Sequence, residues 1–290
     1  MSKKKKWREK SKDIKWSFRN FFRMGKTLET FEERAERYDR MQETLFDKDS
    51  FELMLKCLTK GNGKELKELT IIDAGCGTGH ITVELAKLVR RVFGIDLAPK
   101  MVKFAQKHTE KAGQENVIFE VGNAQTLEKF SDKSIDGIIC RHTFHHFQKP
   151  TRALKNFSRV LKKKGRVVII DTVAESDKKL DVFFPELALI EDETHEGNST
   201  KWQWSKWAYD AGFSNIEFVK EKPIRITFED FEGWMGKERA VSYARKLKGG
   251  YWDPKIRKYL GIKVEKEFDD IDEMRIKLFE LPMHMIVLYK

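Results

Sequence analysis

The sequence predicts an α/β fold, a mostly parallel sheet with helices on both faces, and three observations predict it. From Thr70 onward, short apolar runs alternate with stretches that read as helix. Each run is apolar throughout, the pattern of strands buried on both faces. The first run ends in a glycine-rich turn, Asp73-Ala74-Gly75-Cys76-Gly77-Thr78-Gly79, where glycines let the chain turn tightly and let a ligand approach the backbone.

The elements follow in order. Residues 28–58 read as helix, and Gly61-Asn62-Gly63 is a break. Ile71-Ile72-Asp73-Ala74 is the first strand and 78–90 a helix. Val92 to Asp96 is the second strand, followed by a helix over 99–112 with Pro99 in its first turn. Val117 to Val121 is the third strand and Ile135 to Cys140 the fourth. A helix over 150–163 leads to the fifth strand, Val167 to Ile170. Residues 173–200 are acidic and irregular. A Trp-rich helix runs from about Trp202 to Ala211, with Gly212 as its C-cap. Residues 214–226 offer a sixth strand, 228–275 look mostly helical, and Met285 to Tyr289 is the final strand.

The 290 residues suffice for one large α/β domain with additions. No stretch reaches the ~18 consecutive apolar residues of a membrane-spanning helix. The N-terminus has no apolar segment of the secretory kind. Cys57, Cys76 and Cys140 lie far apart, which fits a reducing cytoplasm and argues against a disulfide framework or a cysteine zinc site. Of the net charge of +11, residues 1–26 carry +9, from eleven Lys/Arg against Glu9 and Asp13. The rest of the chain is nearly balanced, so the basicity is not a nucleic-acid groove spread over the whole protein. Within 1–26, Trp7, Ile14, Phe18, Phe21 and Phe22 form one helical stripe. A helix packed on the domain, a peripheral membrane contact and a grip on RNA phosphates all fit that composition.

Three features point to a nucleotide-type cofactor. The glycines at 75, 77 and 79 give G-x-G-x-G, and His80 stands where a dinucleotide fingerprint has its last glycine. A bulky residue there disfavours the close helix–strand packing of a dinucleotide site. Asp96, 21 residues after Gly75, ends the second strand, where a carboxylate can accept from both ribose hydroxyls. Gly122-Asn123-Ala124-Gln125 follows the third strand, and the Asn123 amide suits an adenine ring nitrogen.

These motifs resemble class I S-adenosylmethionine-dependent methyltransferases. Asp73 to Gly79 matches their D-x-G-C-G-T-G, and Gly94-Ile95-Asp96-Leu97-Ala98 with Met101 looks like their G-x-D-x-S-x-x-M. Gly122 to Gln125 is similar to their G-D-A-E, with Asn123 for Asp. Phe130 to Asp136 resembles F-x-D-x-S-F-D, and Leu161 to Gly165 resembles L-K-P-G-G with Lys163-Lys164 for Pro-Gly. Cys140-Arg141-His142-Thr143-Phe144-His145-His146-Phe147 and the later Trp207-x-x-x-Ala211-Gly212-Phe213 are similar to the ubiquinone/menaquinone-biosynthesis (type 11 domain) branch. The resemblance covers about residues 68–172. It implies a Rossmann-like, seven-stranded, mostly parallel sheet whose last strand, near 284–290, is antiparallel. It implies S-adenosylmethionine as cofactor, with contacts from Asp73, Gly75, Cys76, Gly77, Gly79, Asp96, Leu97, Met101, Asn123, Ala124, Gln125 and Arg141. The domain reading is a lid of basic N-terminal helices (1–60), a cofactor-binding core (61–175), a substrate cap holding the sixth strand (176–282) and the last core strand (283–290).

Methyl transfer from a sulfonium is an in-line displacement, so the protein mainly aligns nucleophile and methyl. A base is needed only when the acceptor must lose a proton. The catalytic candidates after the fourth strand are Arg141, His145 and His146, with His142 beside the substrate. A neutral imidazole can take a proton, and Arg141 can hold an acidic group. Capping or packing roles stay open for each histidine. The H-x-x-H-H run has no carboxylate close in sequence, so no metal is expected. Asp171 either faces the pocket or simply ends its strand. Tyr38, in Ala35-Glu36-Arg37-Tyr38-Asp39, resembles the A-x-x-Y-D of lid helices and is a candidate substrate contact, as is Trp202. The expected function is methyl transfer to a small-molecule acceptor, with a lipophilic one among the options. RNA methylation anchored by residues 1–26, and a non-catalytic regulator that binds the cofactor, are the alternatives.

Overall fold

The computed structural model describes residues 24–42, 46–175, 177, 179–197, 199–220, 222–264 and 276–290. The basic stripe expected over residues 1–26 lies almost wholly outside the described residues. Helix α1 covers 24–42 and α2 Lys48–Thr59. The single helix expected over 28–58 is therefore two. Asp47 is the N-cap of α2, its carboxylate accepting from Asp49 N at 3.1 Å, and such a cap starts a new helix instead of continuing an old one.

The core follows as β1 (Thr70–Ala74), α3 (His80–Ala86), β2 (Arg91–Asp96), α4 (Pro99–Lys111), β3 (Val117–Val121), β4 (Ile135–Arg141), α5 (Pro150–Val160) and β5 (Leu161–Asp171). Helix α3 is shorter than the expected 78–90, because left-handed Gly79 caps its start. Helix α5 stops at Val160, where Leu161 already pairs with Ile135 of β4. Then come β6 (Val173–Ala174), α6 (Leu180–Glu191), β7 (Ser199–Thr200), α7 (Lys201–Asp210), β8 (Asn215–Lys220), β9 (Ile224–Thr227), α8 (Phe228–Met235), α9 (Lys237–Tyr251), α10 (Pro254–Tyr259), β10 (Lys263–Val264), β11 (Ile276–Leu281) and β12 (His284–Tyr289).

The main sheet has seven strands in the order β3-β2-β1-β4-β5-β12-β8, and β12 runs antiparallel to both neighbours. This is the Rossmann-like, mostly parallel sheet that the motifs implied. Alternate residues face opposite layers. Ile72, Ile138, Val167 and Ile169 meet Phe157 and Trp204 of α5 and α7. Ile71, Ile139, Val168 and Ile170 meet Met54, Leu58 and Leu85 of α2 and α3. The strand order reverses between β1 and β4, and ligand crevices in open sheets form at the strands' carboxyl ends at such a point.

The expected sixth strand over 214–226 is divided. Pro223, which has no N–H to give to a ladder, separates β8 from β9. β8 joins the main sheet, whereas β9 joins a separate antiparallel sheet of order β10-β11-β9. That small sheet and helices α6, α8, α9 and α10 share their own apolar core around Tyr243, Leu247, Leu260 and Phe183. Helix α1 packs with Ala35, Phe31 and Tyr38 against Ala98 and Met101 at the start of α4.

Candidate active site

The turn after β1 is shaped by backbone demands. Gly75 has φ +81°, and a Cβ there would lie 2.2 Å from Thr143 Cγ2. Gly79 has φ +85°, and a Cβ there would lie 2.6 Å from Ala105 Cβ of α4. Gly75 therefore lets the loop after β4 close on the turn, and Gly79 lets α3 and α4 approach. Behind the turn, Asp73 accepts from Thr82 Oγ1 at 2.5 Å. Burial pushes its carboxyl up to about 7.

Asp96 faces the crevice at the end of β2. Its Oδ2 accepts from Gly77 N at 2.8 Å and its Oδ1 from Ala98 N at 3.0 Å. Burial raises its pKa although these backbone donors work against the rise. A carboxylate has about four lone-pair positions, so each oxygen keeps acceptor capacity. Asn123 Oδ1 accepts from Gln125 N at 2.9 Å, which turns its amide nitrogen outward to 3.3 Å from Met24 Sδ. Gly75, Gly77, Asp96, Leu97, Met101, Asn123, Ala124 and Gln125 line one cavity, closed over by Met24, Phe31 and Tyr38 of α1. Asp73, Cys76 and Gly79, predicted with them, stand behind it and shape the turn.

The ends of β4 and β5 supply the other half. His142 has φ +49°, a left-handed conformation costing a side-chain-bearing residue of order 1–3 kcal/mol. Its N–H donates to Ile170 O at 2.9 Å, and Thr143 Oγ1 donates to Arg141 O at 2.9 Å and Gly75 O at 3.2 Å, which holds the bend. His145 follows, with Nδ1 2.8 Å from Asp171 Oδ1 and its backbone N donating to Asp171 Oδ2 at 3.2 Å. Thr172 N adds a third bond to this carboxylate at 2.8 Å. Burial works to raise the Asp171 pKa, but the His145 imidazole outweighs it and holds the carboxyl well below the usual range. A carboxylate on Nδ1 sets the tautomer whose Nε2 can accept a proton.

Four of the chain's seven histidines gather here. His146 lies 4.1 Å from His145 between ring centroids, and His195 stacks on His145 at 4.5 Å. Burial, then repulsion from His145, pushes His146 down to about 4 and His195 down to about 3. Burial, then Arg141, pushes His142 down as well. Thr194 Oγ1 lies 3.2 Å from His146 Nδ1, and Asp192 Oδ2 lies 3.9 Å from its Nε2.

These groups border a second cavity of about 220 Å³, lined by His142, His145, His146, Asp171 and Asp192 and by the cap residues Ile224, Ile226, Trp234, Leu281 and Met283. Phe31, Tyr38, His142 and His146 line this cavity and the first one alike. Burial pushes the Tyr38 phenol up to about 12. Arg141 points elsewhere: its Nη1 donates to Gln42 Oε1 at 2.9 Å, and it borders an outer cleft with Lys222 and Arg225.

Trp202 departs from its expected place. It is 72% exposed and borders a separate cleft with Pro185 and Tyr259. Trp204, two residues on and so on another side of α7, turns inward against Phe144 at 4.5 Å. The sequence reading missed Asp192, Thr194 and His195, because the irregular segment holding them has no periodicity to give its direction. The carboxylate that the histidine run lacked in sequence arrives from β5 as Asp171.

Comparison with known proteins agrees with this geometry. The methyltransferase-domain family matches residues 65–223. A Bacillus subtilis methyltransferase, YcgJ, is 34% identical over 152 residues, 52% of this chain and 60% of that protein. A demethylmenaquinone methyltransferase of Thermotoga maritima is 31% identical over 172 residues, 53% of this chain and 67% of the relative. A ubiquinone biosynthesis O-methyltransferase of Xanthomonas euvesicatoria is 30% identical over 105 residues, 36% of this chain and 44% of the relative. The chain thus spans only part of the curated relatives it matches. In three dimensions, the crystal structure of Bacillus subtilis YcgJ superposes with a TM-score of 0.73 at 25% identity, covering 84% of this chain and 99% of the other. The glycine turn that admits no Cβ, the ribose-ready Asp96 and the outward Asn123 amide fit the cofactor of that family. The chain belongs to the methyltransferase-domain family, and its cofactor is S-adenosylmethionine.

Proposed function

We propose that this protein methylates a hydroxyl of a small, predominantly apolar acceptor, with His145 taking the hydroxyl proton. One observation carries the reading: the His145–Asp171 pair borders a cavity that shares a wall with the cofactor cavity. Gly75, Gly77, Asp96, Leu97, Met101, Asn123, Ala124 and Gln125 hold the cofactor, which supplies a methyl group already activated on a sulfonium. Phe31, Ile226, Trp234 and Leu281 pack the acceptor and exclude water. His145 Nε2 accepts the proton as the acceptor oxygen attacks, and Asp171 stabilises the imidazolium that results. His142 and His146 stay neutral at neutral pH, so the cavity wall is not cationic. Relatives named as ubiquinone biosynthesis and fungal O-methyltransferases support an oxygen acceptor.

The test is methyl transfer to a panel of phenols and quinols, with amines and tRNA beside them. Products carry the methyl on oxygen, and His145→Gln lowers turnover about 10²–10⁴-fold with cofactor affinity unchanged. Undiminished turnover in His145→Gln, or transfer only to amines or RNA, overturns the reading. The basic aromatic segment over residues 1–26 supports a lipophilic acceptor met at an anionic membrane surface. Flotation of the full chain with phosphatidylserine vesicles, lost on deleting residues 1–23, is the expected result; equal flotation without them removes that role.

A further inference from the structure

Behind the glycine turn, away from the acceptor cavity, three side chains converge from three helices. Asp39 comes from α1, His80 is the first residue of α3, and His108 lies in the last turn of α4. One ligand-capable atom of each lies within 4.8 Å of the other two. His80 Nε2 is 3.0 Å from Asp39 Oδ1, and His108 Nε2 is 3.5 Å from Asp39 Oδ2. The two rings meet edge to face at 4.6 Å between centroids.

We propose that Asp39, His80 and His108 form a binding site for a divalent transition ion of the Zn²⁺ or Ni²⁺ type, which clamps helix α1 onto the cofactor core. The donor set is two imidazoles and one carboxylate, a set suited to borderline ions and unlike the all-oxygen shells of Mg²⁺ and Ca²⁺. Ligand atoms around a tetrahedral Zn²⁺ at about 2.0–2.1 Å stand about 3.4 Å from one another. The separations of 3.0 and 3.5 Å, one to each oxygen of the Asp39 carboxylate, lie close to that value.

A second observation points the same way. His108 Nδ1 lies 3.0 Å from Thr78 O. A carbonyl only accepts, so Nδ1 carries the hydrogen, and Nε2 is the ring atom presented to the cluster. Metal-ligating histidines are oriented in this manner by an outer carbonyl or carboxylate. The side chains are 20%, 17% and 25% exposed for His80, Asp39 and His108, which leaves an entry path. Asp39 adjoins Tyr38, whose Cε1 would lie 3.2 Å from a Cβ on Gly77, so an ion here fixes the residue that covers the turn.

The experiment is calorimetric titration of Zn²⁺ and Ni²⁺ into the chelator-treated full chain, with Mg²⁺ as control. The expected result is one equivalent of Zn²⁺ with a rise in Tm, and affinity at least about ten-fold lower in His80→Ala and in His108→Ala. Co²⁺ in place of Zn²⁺ gives visible bands of a tetrahedral nitrogen and oxygen site in the unmodified chain, which needs no variant to fold. Absence of saturable uptake reduces the cluster to a hydrogen-bonded triad and overturns the proposal. Equal uptake by the unmodified chain and both folded variants also overturns it, placing the ion instead among His142, His145, His146 and His195.

Discussion

The two halves of the site are built by different means. The cofactor half is made by the turns that follow β1, β2 and β3 beneath α1, where backbone geometry at Gly75 and Gly79 and single residues at or just after strand ends set the shape. The acceptor half is made by side chains that meet from far apart: His145 after β4, Asp171 at the end of β5, His195 after α6, and α1 and the cap above them. A turn of fixed backbone accepts one ligand shape. A ring of side chains can be exchanged residue by residue, so the acceptor half is where relatives on one core can diverge.

The largest expected effect separates the halves directly. Asp171→Asn removes the carboxylate that sets the His145 tautomer, and turnover falls about 10²–10⁴-fold. Cofactor affinity, measured by calorimetry, stays within about two-fold of the unmodified chain if the halves are independent, since Asp171 does not line the cofactor cavity. A matching loss of cofactor affinity would merge them.

His146 tests the acceptor half through pH. Its folded pKa of about 4 lies below the unfolded value of 6.5, so the unfolded chain binds more protons between these limits. Stability from this group is present above pH 6.5 and is lost as pH falls toward 4, by about 3 kcal/mol in order of magnitude. Asp73, raised to about 7, acts in the opposite direction over the same window, so the reading is a difference between two chains. His146→Asn is expected to lose less stability than the unmodified chain between pH 6.5 and 4 in urea melts. Parallel losses would place the proton uptake elsewhere.

Asp96→Ala attacks the other half. S-adenosylmethionine affinity is expected to fall about 10–100-fold, the range for hydrogen bonds to a charged group, measured by calorimetry on the folded variant. An unchanged dissociation constant would remove Asp96 from the cofactor contacts. Trp202→Ala marks the floor: an exposed ring remote from both cavities changes stability by less than about 0.5 kcal/mol and leaves the KM for acceptor unchanged. A raised KM would return Trp202 to the acceptor half.

The same contrast explains what could be read before folding. Apolar runs such as Ile135 to Cys140 announce strands buried on both sides, and their order with the glycine turn gives the sheet. Asp96 and Asn123 could be placed at the crevice from the sequence because one ends β2 and the other lies just after β3. Asp171 ends a strand too, but only the register of β4 beside β5 shows that it meets His145. His195 carries no such signal, since its segment has no repeating pattern and its position depends on stacking against residues 50 places earlier. Trp202 and Trp204 are equivalent as letters, and only the facing of α7 tells them apart. Pro223 was a signal in plain view, dividing one expected strand between two sheets.

Helix α1 has a consequence of a thermodynamic kind. Phe31 and Tyr38 belong to both cavities, and the cofactor cavity beneath them measures about 80 Å³, far below the ~300–1,000 Å³ of cofactor sites. A cofactor larger than this cavity is expected to displace a wall that the acceptor cavity also uses. The two ligands are thereby linked, and linkage is reciprocal: whatever factor the cofactor imposes on acceptor affinity, the acceptor imposes on the cofactor. A helix shared in this way makes the order of arrival a kinetic property of α1 while the overall coupling stays the same by either route.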